Sequence, residues 1–237
     1  ELISAILEVK PNAIIVMIAG SPVDMSSWID KANALFYTSY IGMETGTALA
    51  RIITGDVNPS GKMSYTLPRK LEDSPSVVFG EYPGNNGTVN YKDELLVGYR
   101  YFDTKAVKPL FPFGFGLSYT QFAYSDLRVK TSKGNPEEMC SLTFMIKNTG
   151  KVAGKEIAEV YVTDPQSSVS RPAKELKGFS KISLKPGESG EVKITLNQRA
   201  FQFYDPDKKD WVIEPGKFML KVGSSSDQIL LEKEIEL

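Results

Sequence analysis

A chain of 237 residues, 41% apolar and 24% charged, has the make-up of a globular protein and the length for two modest domains or one large one. Its net charge of −1 gives no electrostatic case for a nucleic acid or an anionic membrane as partner. With no histidine and one cysteine, Cys140, it excludes Ser-His and Cys-His nucleophilic pairs, an intrachain disulfide and the usual zinc sites; acid–base chemistry is left to carboxylates, lysine and tyrosine.

The opening stretch ELISAILEVKPN lacks the basic segment and small-residue cleavage site of a signal peptide, and it has no initiator Met. We therefore expect a chain processed or cut from something longer. Leu2, Ile3, Ile6 and Leu7 recur at helical spacing, and KPN ends that helix. Ala13–Ala19, AIIVMIA, is a continuous run rich in Ile and Val, which predicts a parallel strand buried on both faces. It is the longest apolar run and falls well short of the ~18 residues of a membrane span. GSPVDM is a turn, and SSWIDKA is a short helical stretch with Ser26 as its candidate N-cap. Ala34–Tyr40 is a second strand, followed by a helix from about Glu44 to Thr54 that ends at Gly55 in the left-handed position. PSGKMSYTLP is a turn and then a third extended run. This is the grammar of a parallel sheet with helical crossovers. Two or three strands cannot close a doubly wound domain, so the sheet is the end of a larger one or its remainder lies on another chain.

Residues 71–118 read as one long connection, rich in glycine, proline and tyrosine, of the length that is functional or wraps over a neighbour. Asn86–Thr88 in it matches a glycosylation sequon, a weak signal at three residues. From Tyr119 the period becomes two. FAYSDLRVKT, SLTFMIKN, KEIAEVYVTDP, ELKGFSKISL, GEVKITLN, WVIEPGKFMLKVG and ILLEKEIEL alternate, and NTGKVAG, KPGESG, DPDKKD and GSSSD between them have turn chemistry. Seven short strands predict a β-sandwich over 119–237; lacking a Cys…Trp…Cys pattern, it is of the fibronectin type III kind. The fold class is thus α/β over 1–70, then all-β. The aromatic stretch LFPFGFGLSYTQFAYSDLRV marks the hand-over, its rings expected to lock the two domains together. Cys140 reads as a small core residue.

In open parallel sheets ligands bind beyond the carboxyl ends of the strands. Those ends are followed here by GSPVDMSSW and YIGMETG, which offer Ser21, Asp24, Trp28, Tyr40 and Glu44. Carboxylates beside aromatic rings suit carbohydrate, and Asp24, Trp28 and Glu44 are candidates for a substrate rim. Each also has a purely structural reading: Glu44 as an acid in a helix's first turn, Asp24 as a cap, Trp28 as packing between helix and sheet. Tyr91, Tyr99 and Tyr101 are ligand candidates for which packing is the stronger reading. Lys62 in GDVNPSGK reads as a solvated turn residue, since the spacing fits no phosphate loop.

GSPVDMSSW, GMETGTALARIITGDVNPSGKMSYTLPR, YKDELLVGYRYFD, PLFPFGFGLSYTQFAYSDLRV and WVIEPGKFMLKVGSSS, in this order, resemble glycoside hydrolase family 3, its β-glucosidase and β-xylosidase members above all. In that family a barrel domain carries an aspartate nucleophile, a following α/β-sandwich domain usually carries the glutamate acid/base, and a fibronectin type III-like domain packs on both. The mechanism is usually retaining. The resemblance places the start of this sequence inside the α/β sandwich, with the barrel and both catalytic carboxylates absent, so no catalytic residue is carried over. Glu44 matches the glutamate of the family's PGxEGG-like segment, a structural position; Ile41 stands for its proline and Thr45 for the first glycine of its pair. The implied partners are an oligosaccharide or glycoside substrate and the missing barrel. No cofactor and no metal is implied, and a periplasmic or secreted parent enzyme is favoured. Two other readings stand beside this one: a stand-alone carbohydrate-binding or adhesion module, and half of a split enzyme.

Overall fold

The computed structural model describes residues 1–132 and 134–237. It divides into two compact units, one of Glu1–Val57, Thr66–Glu94 and Lys108–Phe111, the other of Asn58–Tyr65, Leu95–Val107 and Pro112–Leu237.

The first unit is α/β. Helix α1, Leu2–Val9, turns Leu7 inward and stops where Pro11 interrupts it. Strands β1 (Ile14–Ile18) and β2 (Ala34–Thr38) pair in parallel, with Ile14 opposite Ala34 and Ile18 opposite Thr38. The sequence predicted burial on both faces of β1, and the structure corrects this. Ile15 is buried, but Ile14, Val16 and Ile18 on the other face are 46%, 38% and 48% exposed. With only two strands in the sheet, that face lacks a cover among the described residues. The link between the strands tightens into a 3₁₀ turn at Ile29–Lys31, anchored by the buried Met25 and Trp28. Ser26 is not its cap; the Asp24 carboxylate instead accepts the Ser26 N–H at 2.9 Å. Helix α2, Thr45–Ile53, ends at Gly55 with φ +85°, the left-handed conformation expected there. The third extended run joins no sheet. Its end forms a single bridge, Leu67 to Phe111. A short helix α3, Pro75–Val78, leads to the buried Glu81, which accepts the N–H groups of Lys92 and Asp93 and closes a compact loop.

The second unit is a β-sandwich. Strands β3 (Phe122–Thr131), β4 (Cys140–Asn148) and β7 (Ser189–Leu196) form one sheet in the order β3-β4-β7. Strands β5 (Gly154–Thr163), β6 (Glu175–Leu184), β10 (Lys217–Gly223) and β11 (Ile229–Glu236) form the other, in the order β11-β10-β5-β6. All pairings are antiparallel. These seven strands fall on the seven alternating runs. A small hairpin of β8 (Phe203–Asp205) and β9 (Asp210–Val212) is additional. Alternation explains the core: Leu142, Phe144 and Ile146 of β4 meet Ala158, Val160 and Val162 of β5 and Phe218, Leu220 and Val222 of β10, all buried. Each large side chain among them contributes ~1.5–3 kcal/mol by leaving water. Cys140 is buried in the same core, and loss of solvent pushes its thiol up to about 11. The buried Asn148 shapes the NTGKVAG turn, donating to Val152 O and Leu184 O and accepting from Thr120 Oγ1 and Gly150 N.

Helix α4, Tyr99–Thr104, packs on the outer side of the four-stranded sheet. The Leu176 N–H donates to the Tyr99 hydroxyl at 2.7 Å, the Ala173 N–H to Thr104 Oγ1 at 2.9 Å, and the Tyr99 ring meets Tyr161 edge-on at 5.7 Å. Asn58 ties its own segment to the sandwich, donating to Ala153 O and accepting from the Tyr119 N–H.

Candidate functional site

Because β1 and β2 run parallel in register, the loops that leave them start from one edge of the sheet. These are the two loops that hold the candidate rim residues. They also touch: the Tyr37 hydroxyl of β2 donates to Ser21 O at 2.8 Å, and the Tyr40 ring lies against Gly20, where a side chain would collide with it. A side chain at 20 would displace the exposed Tyr40 ring from this position.

Asp24 is fully exposed, and its hydrogen bonds from Ser26 hold its carboxyl below the usual aspartate range. Trp28 is 7% exposed; its ring packs below this loop rather than standing out from it. Glu44 caps the start of α2 through its carbonyl, which accepts the Ala48 N–H at 2.9 Å. Its carboxylate is exposed and makes no hydrogen bond or ion pair among the described residues, and it sits where the helix dipole favours an anion. Tyr40 is 80% exposed and Met43 fully so. The edge therefore presents two exposed carboxyl groups and an aromatic ring, a set suited to sugar hydroxyls and faces. The tyrosines of the connection go elsewhere. Tyr101 is buried, Tyr99 is held in the second unit, and Tyr91 is exposed.

Sequence reading missed the ionisable groups buried in the second unit. Lys62 is no solvated turn residue: its side chain is 12% exposed and its ammonium lies 3.3 Å from Glu156 and 3.2 Å from Ser224 O. Glu156 also accepts from the Tyr124 hydroxyl at 3.0 Å, and Glu159 accepts from the Tyr161 hydroxyl at 2.5 Å. Desolvation raises the Glu159 carboxyl above its ordinary value, against the lowering pull of Tyr161 and Lys62. It raises Tyr124 and Tyr161 as well. A second cluster joins Arg171 to Asp164 and Glu175, with Arg100 and Lys177 also on Glu175. Burial alone would raise Glu175, but these cations, Arg171 first, hold it below its ordinary value. Both clusters join segments far apart in the chain. Their carboxylates are committed to partners inside the fold, so we assign them to its architecture and not to chemistry on a substrate.

Among the described residues no group of three or more metal-ligating side chains could hold a metal ion, and no helix is long and apolar enough to cross a membrane.

Comparison with known proteins adds to this geometry. Residues 1–119 match the glycosyl hydrolase family 3 C-terminal domain, and residues 156–226 a fibronectin type III-like domain. The chain is 47% identical over 237 residues to thermostable beta-glucosidase B of Acetivibrio thermocellus, covering 100% of this chain and 31% of that protein. It is 46% identical over 231 residues to beta-glucosidase BoGH3A of Bacteroides ovatus, covering 97% of this chain and again 31% of the relative. The crystal structure of a GH3 beta-glucosidase of Bifidobacterium adolescentis superposes with a TM-score of 0.93 at 36% identity, covering 100% of this chain and 34% of that one. The beta-glucosidase of Kluyveromyces marxianus in complex with glucose gives 0.91 at 40% identity, with 100% and 28% coverage. The chain therefore spans 28–34% of the length of these relatives.

Proposed function

The chain belongs to glycosyl hydrolase family 3, and on that premise we propose that it works as the C-terminal region of a retaining β-glycosidase of the β-glucosidase type. The observation that carries this reading is 47% identity along all 237 residues to a β-glucosidase of which they make up 31%. The substrate class is a glycoside or oligosaccharide with a terminal β-linked sugar. In this reading residues 1–70 close an α/β domain, 71–118 connect, and 119–237 form the fibronectin type III-like sandwich. The partner is a barrel domain that carries the nucleophile, with the acid/base also outside these 237 residues. The chain contributes scaffold and part of the rim: Asp24 and Glu44 offer carboxylates to sugar hydroxyls, and Trp28 holds the loop beneath Asp24.

It follows that the chain by itself does not hydrolyse glycosides. Release of nitrophenol from aryl β-glucosides, β-xylosides and β-N-acetylglucosaminides by the purified chain tests this. No turnover, with the fold verified by circular dichroism, is the expected result. Turnover that disappears in Asp24→Asn or Glu44→Gln would overturn it. Calorimetry with cello- and laminari-oligosaccharides separates the adhesion-module alternative, which requires millimolar or tighter binding by this chain alone.

A further inference from the structure

The turn that opens α2 holds one side chain away from the rest of the fold. Gly42 takes φ +88°, and its carbonyl accepts both the Thr45 N–H at 3.3 Å and the Thr45 hydroxyl at 2.6 Å. The backbone bond closes a β-turn in which Met43 and Glu44 are the central residues. Glu44, at φ −86° and ψ 13°, has the angles of the later central position in a turn of the commonest type. A side chain at the tip of such a turn has no neighbouring element to pack on, and Met43 is fully exposed. An unbranched thioether more often fills a gap in a core. Among the described residues the other methionines follow that rule: Met25 is buried, and Met17, Met63, Met139, Met145 and Met219 are half-buried. The remaining oxidisable sulfur, Cys140, lies in the sandwich core, and burial keeps it as the thiol, the less reactive form. The freely accessible sulfur of the described residues is thus a single atom, Met43 Sδ, in the candidate rim loop between Tyr40 and Glu44.

We propose that Met43 is a reversible oxidation site, which takes one oxygen atom from a peroxide and becomes the sulfoxide. A lone pair on Sδ attacks one peroxide oxygen, so that an S–O bond forms and the O–O bond breaks. The sulfur is oxidised by two electrons and the peroxide is reduced by the same two; with hydrogen peroxide the other oxygen leaves as water. Sulfoxide reductases run the change backwards: two thiols become a disulfide, and the oxygen departs as water. The modification is small in structure and large in chemistry. An apolar tip beside Tyr40 and Glu44 becomes a polar hydrogen-bond acceptor, which alters the surface this loop offers to any ligand. The site of oxidation follows from exposure alone and does not depend on the glycosidase reading.

Timed exposure of the full chain to hydrogen peroxide, followed by proteolysis and peptide mass spectrometry, tests this. Met43 is expected to gain its oxygen first, at least about tenfold faster than Met25, whose sulfur is reached only when the fold opens. The half-buried methionines are expected to fall between the two. Oxidation confined to Met43 is expected to leave the circular dichroism spectrum and the thermal midpoint unchanged, since this side chain is fully exposed. Met43→Leu is expected to remove the fast phase. The pair of reductases that act on the two sulfoxide epimers is expected to restore the starting mass. Oxidation of Met43 no faster than that of the half-buried methionines overturns the proposal, as does Cys140 reacting first. So does a midpoint that falls when Met43 alone is oxidised, because the sulfur would then be part of the packing. A Met43 sulfoxide that the reductases leave in place also overturns it.

Discussion

Replacing Lys62 by methionine keeps the length of the side chain and removes its charge. In the folded chain Lys62 and Glu156 are 12% and 7% exposed and 3.3 Å apart, so solvent screens the pair little. After the substitution Glu156 keeps the Tyr124 hydroxyl at 3.0 Å and loses its counter-charge, while Ser224 O loses a donor. Removing one partner of a buried pair costs about 3–5 kcal/mol, because the remaining charge stays out of water. At ~2–4 °C per kcal/mol for a chain of this size, the midpoint of thermal unfolding falls by roughly 6–20 °C. Urea denaturation followed by circular dichroism gives the free energy directly. Substituting Glu156→Leu in the same chain is expected to recover at least half of the loss, since a pair of apolar residues needs no counter-charge. A loss below about 1 kcal/mol in Lys62→Met alone would refute the reasoning and return Lys62 to the class of solvated turn residues.

Gly114→Ala introduces a Cβ against the Glu159 carboxylate at a backbone φ of +79°, and we expect a loss of about 2–4 kcal/mol. Adding Glu159→Ala should relieve the collision and leave the backbone cost of ~1 kcal/mol; no recovery would mean that the two do not touch. Glu159 also gives a pH signature. Its folded-state value is raised above 4.5, so its stabilising contribution is present below that value and is lost as pH rises through the raised one. Glu159→Gln is therefore expected to lift stability at neutral pH and to flatten this part of the curve, whereas parallel curves for the two proteins would contradict the assignment. Cys140, buried and pushed up to about 11, should resist alkylation at mildly alkaline pH until the sandwich unfolds; labelling of the native chain would place it at the surface.

The sandwich was legible because each long strand buries one face, which imprints a period of two on runs such as SLTFMIKN. The β8–β9 hairpin was not, since strands of three residues are too short to show a period. The continuous apolar run of β1 announced a buried parallel strand, but a run alone cannot tell which face will find a cover, and Ile14, Val16 and Ile18 found none among the described residues. Lys62 was misread for a related reason. Its partner Glu156 is 94 residues away, and nothing in GDVNPSGK marks that distant carboxylate. That the loops carrying Asp24 and Glu44 leave the same end of the sheet was legible, because both follow parallel strands. The internal geometry of those loops was not: that Asp24 takes the Ser26 N–H, and that Tyr40 lies on Gly20, depends on backbone turns that residue types alone do not set.

The central claim is that these residues can serve as the C-terminal region of a β-glucosidase. Its most direct test is a chimera in which they replace the 47%-identical region of beta-glucosidase B of Acetivibrio thermocellus. The account predicts a folded enzyme that hydrolyses aryl β-glucosides, with Asp24→Ala and Glu44→Gln raising KM more than they lower kcat. A chimera that folds and binds the inserted region natively, yet shows no β-glucosidase activity, would contradict it.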